Sequence, residues 1–126
     1  MPSFFVSYVY EDRAYRDQLV DWSRQGLLGG WQPVYEMEDM RPGGWRAVQR
    51  YLSPLIRECS AIVVLVGDDT HNHDAIAYEV QNARSHGIPV VSVRLPQTRG
   101  AAPPFVPSPD VRFGPAEILA ELNALE

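Results

Sequence analysis

A glutamate interrupts the apolar stripe of a helix-length segment in the middle of this sequence. Ile76, Val80 and Ala83 recur at positions i, i+4 and i+7, a spacing that predicts the helix face packing on a sheet. Glu79 falls at i+3 of the same series, so its carboxylate lies on or beside that face near the start of the helix. A carboxylate in such a place is either a partnered structural group or a working acid.

Two strand-like runs flank this segment. AIVVLVGDDT precedes it and IPVVSVRL follows it, and runs this rich in Val, Ile and Leu around a helix predict a βαβ unit of a buried parallel sheet over Ala61–Leu95. Open α/β sheets bind ligands at the carboxyl ends of their strands, where Glu79 would lie. As a structural residue, Glu79 would pair with Arg84 or Arg94, and spacing alone favours that role.

The remaining elements continue the alternation of strands and helices. The sequence predicts strands at Phe4–Val9, Trp31–Tyr35 and Val111–Phe113, and helices at Arg13–Gln25, from about Trp45 and from Pro115. Asp12 would cap the first helix, Pro33 places the second strand at an edge, and Pro96–Asp110 is an extended proline-rich loop. These elements predict one α/β domain over residues 1–126. Its sheet is parallel, five-stranded and doubly wound, flavodoxin-like, in the order 2-1-3-4-5, with helices on both faces.

In that strand order the carboxyl ends of strands one and three are adjacent, and a ligand would sit there. The loop Glu36–Gly44 and Trp45 would reach the same edge. The candidate substrate-binding residues are those that the topology brings there: Ser7, Tyr8, Tyr10, Asp12, Trp45, Asp68, Thr70 and His71. The aromatic members could stack on a flat ring, although aromatic residues at strand ends are as often core residues.

Composition restricts the classes of function. The 126 residues carry a formal net charge of −5, with 45% hydrophobic and 21% charged residues, which is typical of a globular domain and gives no electrostatic footprint for nucleic acid or an anionic membrane. The single cysteine, Cys59, excludes an internal disulfide and is expected to be inert core packing in a reducing cytoplasm. Since Met1-Pro2-Ser3 leads directly into a strand, no signal peptide is expected.

The sequence also suggests two metal sites and one phosphate site, but solvated side chains at the surface explain these residues better. Acidic pairs at Glu11-Asp12 and Asp68-Asp69 match the metal-holding layout of receiver domains, but those domains need a lysine and this chain has none. The spacing His71-x-His73 lacks a recognisable third zinc ligand. We therefore expect no resident metal or cofactor. Arg41 and Arg46 could meet a pyrophosphate, although solvated surface arginines are the more frequent case.

Four motifs in this order resemble the TIR-like family, the bacterial relatives of Toll/interleukin-1 receptor domains that include proteins of Thoeris antiphage systems. They are FFVSYVYEDRAYRDQLVDW, Gly43-Gly44-Trp45, the strand followed by GDDT with its Glu-bearing helix, and GIPVVSVRL. The resemblance covers Phe4–Leu95. Many members carry a tryptophan one to four residues before the glutamate, whereas this chain has the segment AIAY at 75–78.

The resemblance implies an activity. Enzymatic members of the family cleave the bond between nicotinamide and ribose in NAD, with the matching glutamate, here Glu79, as the catalytic residue. It therefore implies NAD as substrate, an ADP-ribose-derived signalling nucleotide as product, a separate effector and self-association, with the loop Glu36–Gly44 gating the pocket. Two alternatives remain open: a non-catalytic TIR-type interaction module, and an enzyme similar to nucleoside deoxyribosyltransferases that also acts on an N-glycosidic bond.

Overall fold

A computed structural model describes residues 2–35, 54–72, 74–103 and 106–125. Its centre is a parallel sheet of five strands in the order β2-β1-β3-β4-β5. The strands are β1 Ser3–Ser7, β2 Gln32–Val34, β3 Ala61–Val66, β4 Val90–Arg94 and β5 Val111–Arg112. All six residues of β3 are buried, because a central strand covered on both faces has no side chain to offer to solvent.

Helices cover both faces of the sheet. They are α1 Arg13–Arg24, α2 Asp74–Ser85 and α3 Pro115–Ala124, and residues 54–57 are also helical. Short 3₁₀ turns at Tyr10–Asp12 and Thr70–Asn72 precede α1 and α2. Gly87, with a φ of +72°, ends α2 in the left-handed conformation that glycine adopts without strain.

The sheet divides the core into two layers. On one face Phe4, Val6, Val63 and other β-strand residues pack with Leu19 of α1 and with Ile118 and Leu122 of α3. On the other face Phe5, Ile62 and Val64 pack with Ile56 and with residues of α2. We call this second layer, between the sheet and α2, the α2 layer. The apolar positions predicted on the Glu79 helix, Ile76, Val80 and Ala83, are all buried in it.

The predicted fold class and strand order are confirmed, and the differences lie at element ends. Each of the three predicted strands outside the βαβ unit is shorter than expected, and β5 ends at Arg112, opposite the last residue of β4. Asp12 is the residue before α1, as predicted, but its side chain makes no capping hydrogen bond. Leu125, which follows the last residue of α3, is 39% exposed.

Several sequence-based predictions lie outside the described residues: the loop Glu36–Gly44, Trp45 with the start of its helix, Arg41, Arg46 and His73. In the parts of Pro96–Asp110 that the structure describes, 96–103 and 106–110, neither helix nor strand forms, as predicted. Within the described residues, no helix is both long and apolar enough to cross a membrane.

Candidate functional site

Glu79 is buried in the α2 layer. Its side chain is 5% exposed, although its neighbours on the helix face are apolar. Burying a carboxylate costs several kcal/mol by desolvation unless the group is engaged, so an apolar residue would be the simpler choice for packing alone. Arg94, one of two arginines considered as a structural partner, instead donates from Nη1 to Thr98 Oγ1 at 3.5 Å.

Two buried serines face the same layer as Glu79. Ser7 pairs with Val64 and Val64 with Ser92, so the two hydroxyls belong to one row across β1, β3 and β4. Ser7 is 0% and Ser92 3% exposed, and neither Oγ has a hydrogen-bond partner among the residues that the structure describes. Buried hydroxyls normally find partners, so these two serines, one on each side of Val64, are polar exceptions in a mostly apolar layer.

The turn after β3 is held by the hydroxyl of Thr70. Thr70 is fully buried, and its Oγ1 donates to Leu65 O at 3.2 Å and accepts from the Gly67 amide at 2.9 Å. The Asp12 carboxylate lies against Gly67, where a β-carbon would come within 2.6 Å of Oδ2. Asp12 and Thr70, both predicted to bind substrate, therefore meet at the carboxyl ends of β1 and β3, with Thr70 engaged in closing the turn.

The segment after β4, residues 95–100, is pinned onto this turn, and we call it the strap. Thr98 Oγ1 lies 2.7 Å from Leu95 O and 3.3 Å from Val66 O, and Asp68 Oδ1 accepts from the Arg99 amide at 2.8 Å. Gly100 lies so close to the Gly67 and Asp68 carbonyl oxygens that a β-carbon would overlap them. Asp68, predicted to contact substrate, thus ties the strap to the end of β3.

Tyr8 lies on the opposite face of the sheet from Glu79, packed against the α1 side. Its hydroxyl accepts from Arg16 Nη1 at 2.6 Å, and the Arg16 guanidinium stacks between the Tyr8 and Tyr35 rings, 5.2 Å and 4.8 Å from their centroids. Burial lowers the pKa of Arg16, but hydrogen bonds with Asp17 and Tyr8 outweigh it and leave that pKa raised. The structure therefore separates Tyr8 from Glu79 and gives it a cationic partner.

The other predicted residues are dispersed. Tyr10 is 65% exposed, with the Arg13 guanidinium 4.1 Å from its ring centroid. His71 is exposed in the 3₁₀ turn before α2. Within the described part of the chain, no three His, Cys, Asp or Glu residues are grouped so that they could hold a metal ion.

Cys59 is buried beside residues 54–57. Its Sγ lies 3.3 Å from Leu55 O, and burial raises the pKa of the thiol, so the group stays protonated near neutral pH. This environment suits the packing role expected from the sequence.

Sequence reasoning missed Ser92, Arg16 and the strap. Ser92 did leave a signal, since it is the one polar residue within VVSV, at a position where an alternating pattern places it opposite Val91 and Val93. Arg16 and the strap left no such signal, because their contacts join residues that only the fold brings together.

Comparison with models of protein families identifies the family of this chain. No curated protein matches the sequence. A family model described as the TIR-like domain of the Thoeris protein ThsB matches residues 5–100, well over half of the chain. The matched part contains most of β1, all of β2 to β4, the strap and Glu79. The chain belongs to this family of TIR-like domains.

Proposed function

We propose that this domain cleaves NAD between nicotinamide and ribose, with Glu79 as the catalytic carboxylate. The observation that carries the proposal is the burial of Glu79 on α2, the helix that follows the carboxyl end of β3 in a parallel sheet. Membership of the TIR-like family supports it, since NAD cleavage is the activity that the sequence resemblance implies.

The chemistry explains why a carboxylate would be buried there. When the bond between ribose C1′ and the nicotinamide nitrogen breaks, its electron pair leaves with nicotinamide and the ribose becomes an oxocarbenium-like cation. A fixed carboxylate in a poorly solvated layer stabilises that positive charge more than it would in water. Water then adds at C1′ and releases a proton, giving ADP-ribose, or a nucleophile within the same molecule gives a cyclic product.

Ser7 and Ser92 fit the same reaction. Ribose carries hydroxyls that need hydrogen-bond partners when they leave water, and the serine row supplies two buried hydroxyls on the face that Glu79 shares. In a Thoeris-type defence system, the ADP-ribose-derived product would act as a signal on a separate effector.

The second candidate is a non-catalytic interaction module. The closed state of Glu79 favours it, because a side chain that is 5% exposed offers substrate little direct access. The two candidates differ in a single measurement, the release of nicotinamide from NAD.

The test compares wild-type protein with Glu79→Gln and, as a matched control, Glu121→Gln, which makes the same change at an exposed position of α3. We expect Glu79→Gln to lower the rate of nicotinamide release by roughly 100-fold or more, the usual effect of losing one stabiliser of transition-state charge, and Glu121→Gln to leave it unchanged. Chromatography of the reaction mixture quantifies nicotinamide.

Thermal unfolding of the same variants separates a catalytic from a structural glutamate. Gln has nearly the same size as Glu, and a neutral amide avoids the desolvation of a buried carboxylate, so a catalytic Glu79 predicts a Glu79→Gln protein whose stability stays within about 1 kcal/mol of wild type. If Glu79 instead served a buried ion pair, its loss would cost about 3–5 kcal/mol of unfolding free energy. A stable Glu79→Gln protein with full activity would refute the catalytic role, and wild-type protein that never releases nicotinamide would favour the interaction module.

A further inference from the structure

Two arginines stand side by side at the edge of the sheet farthest from β2. Arg94 of β4 is the register partner of Arg112 of β5, so both side chains leave the same face of the sheet from backbones roughly 4.8 Å apart. Like charges in directly opposed positions destabilise a strand pair unless an anion or solvent screens them. The sequence places them in a chain whose net charge is −5.

Neither guanidinium is neutralised within the described residues. Arg94 donates to the Thr98 hydroxyl at 3.5 Å, which is a long and uncharged contact, and Arg112 forms no hydrogen bond or ion pair there. Asp110 lies close by but makes no ion pair with either arginine in that part of the chain. In that part of the chain, no carboxylate occupies their fork-shaped donor groups.

Both arginines line a groove of about 560 Å³ at the carboxyl ends of β4 and β5. This volume falls in the range of small-molecule sites, and the position is the one that parallel sheets use for ligands. Thr98 and Gln97 add polar groups, while Pro96, Pro109 and Phe113 are among the apolar lining residues. Gln97 has a φ of +62°, a backbone conformation that is unfavourable for residues other than glycine. Such residues are often found at binding sites.

We propose that Arg94 and Arg112 form an anion site that binds the phosphate group of a small molecule. Guanidinium groups match the oxygens of phosphate with paired, charge-assisted hydrogen bonds, which a single ammonium could not do. The two positive charges outweigh the single carboxylate of Asp110, so the groove attracts an anion. The site lies on β4, the strap and β5, and its occupation does not depend on NAD cleavage.

Binding is tested by NMR on the ¹⁵N-labelled full chain, with inorganic phosphate and, separately, ADP as probes. The backbone amides of residues 94, 95, 97, 98 and 110–113 should shift on titration, and added sodium chloride should weaken the response. Shifts with phosphate identify the phosphate group alone as sufficient, whereas shifts with ADP alone identify a nucleotide as the source of that group. Either result supports the site if it depends on the two arginines.

That dependence is measured with Arg94→Gln, Arg112→Gln and, as a matched control at an exposed position of α1, Arg24→Gln. Each groove variant should weaken binding roughly tenfold or more, the equivalent of one charge-assisted hydrogen bond, while Arg24→Gln should bind as wild type does. Amide spectra that are unchanged away from the groove establish that the variants are folded. No shift with either probe, or shifts that survive in the Arg94→Gln/Arg112→Gln double variant, would overturn the proposal.

Discussion

Thr70 shows how one hydroxyl can fix the geometry at the carboxyl end of a central strand. Its Oγ1 serves the Leu65 carbonyl and the Gly67 amide at once, and Gly67 in turn lies against the Asp12 carboxylate. Residues that the sequence marked as binding groups are thus parts of the turn that sets the position of the helix bearing Glu79. Their role as direct substrate contacts stays a prediction, and their structural role can be tested separately.

Replacing Thr70 with valine keeps the shape of the side chain and removes the hydroxyl. The Leu65 carbonyl and the Gly67 amide then lose their buried partner, so we expect the free energy of unfolding to fall by about 1–3 kcal/mol. Urea unfolding followed by circular dichroism measures the change. Thr70→Ser retains the hydroxyl and loses one methyl group, so it should cost about 1 kcal/mol or less. Equal stability of the valine and wild-type proteins would contradict the conclusion that the Thr70 hydroxyl stabilises the turn after β3.

At the scale of elements, the strap joins the end of β4 to the end of β3. Three features hold it: the Thr98 hydroxyl, the bond from the Arg99 amide to Asp68, and the close approach of Gly100 to the Gly67 and Asp68 carbonyl oxygens. The strap also forms one wall of the arginine groove through Pro96, Gln97 and Thr98. Loss of the contacts between the strap and the end of β3 should therefore lower the stability of the domain and change the shape of the groove.

Gly100→Ala tests these contacts. The added β-carbon overlaps two backbone carbonyl oxygens, which cannot move as a flexible side chain could, so the strap must lift. We expect the free energy of unfolding to fall by about 1–3 kcal/mol, the usual cost of overpacking a tight contact. Chemical unfolding gives the value. The control is Ala101→Ser at the next, exposed position, which should stay within about 0.5 kcal/mol of wild type. A fully stable Gly100→Ala protein would show that the strap is loosely held.

For the whole molecule, the closed position of Glu79 predicts that NAD cleavage depends on self-association. A single domain with Glu79 5% exposed must open before substrate reaches the carboxylate. Contacts between copies that stabilise the open state would raise its population, and with it the rate per molecule. We expect the rate of nicotinamide release per molecule of enzyme to rise with protein concentration, in parallel with the oligomer fraction seen by sedimentation. Glu79→Gln at the same concentrations supplies the background. A rate per molecule that stays constant across the concentration range would argue against assembly.

The sequence predicted the fold better than the site, and the reason is physical. The apolar runs of β3 and β4 and the spacing of Ile76, Val80 and Ala83 report burial directly, because burial selects residue type. Polar contacts carry no comparable period. The pairing of Arg94 with Arg112 and the bond between Asp68 and the strap depend on strand register and loop path, which become visible only once the chain is folded.

The two edges of the described sheet are unusually poor templates for a further strand. β5 has only two residues, and β2 has three, with Pro33 at its centre, which has no backbone N–H to donate. A second copy could add few main-chain hydrogen bonds at either edge, so growth into cross-β aggregates through these strands is disfavoured. Assemblies of this domain would then be held by side-chain contacts between helices and loops. Such an assembly has a limited number of subunit contacts, whereas a cross-β aggregate grows without limit by adding strands.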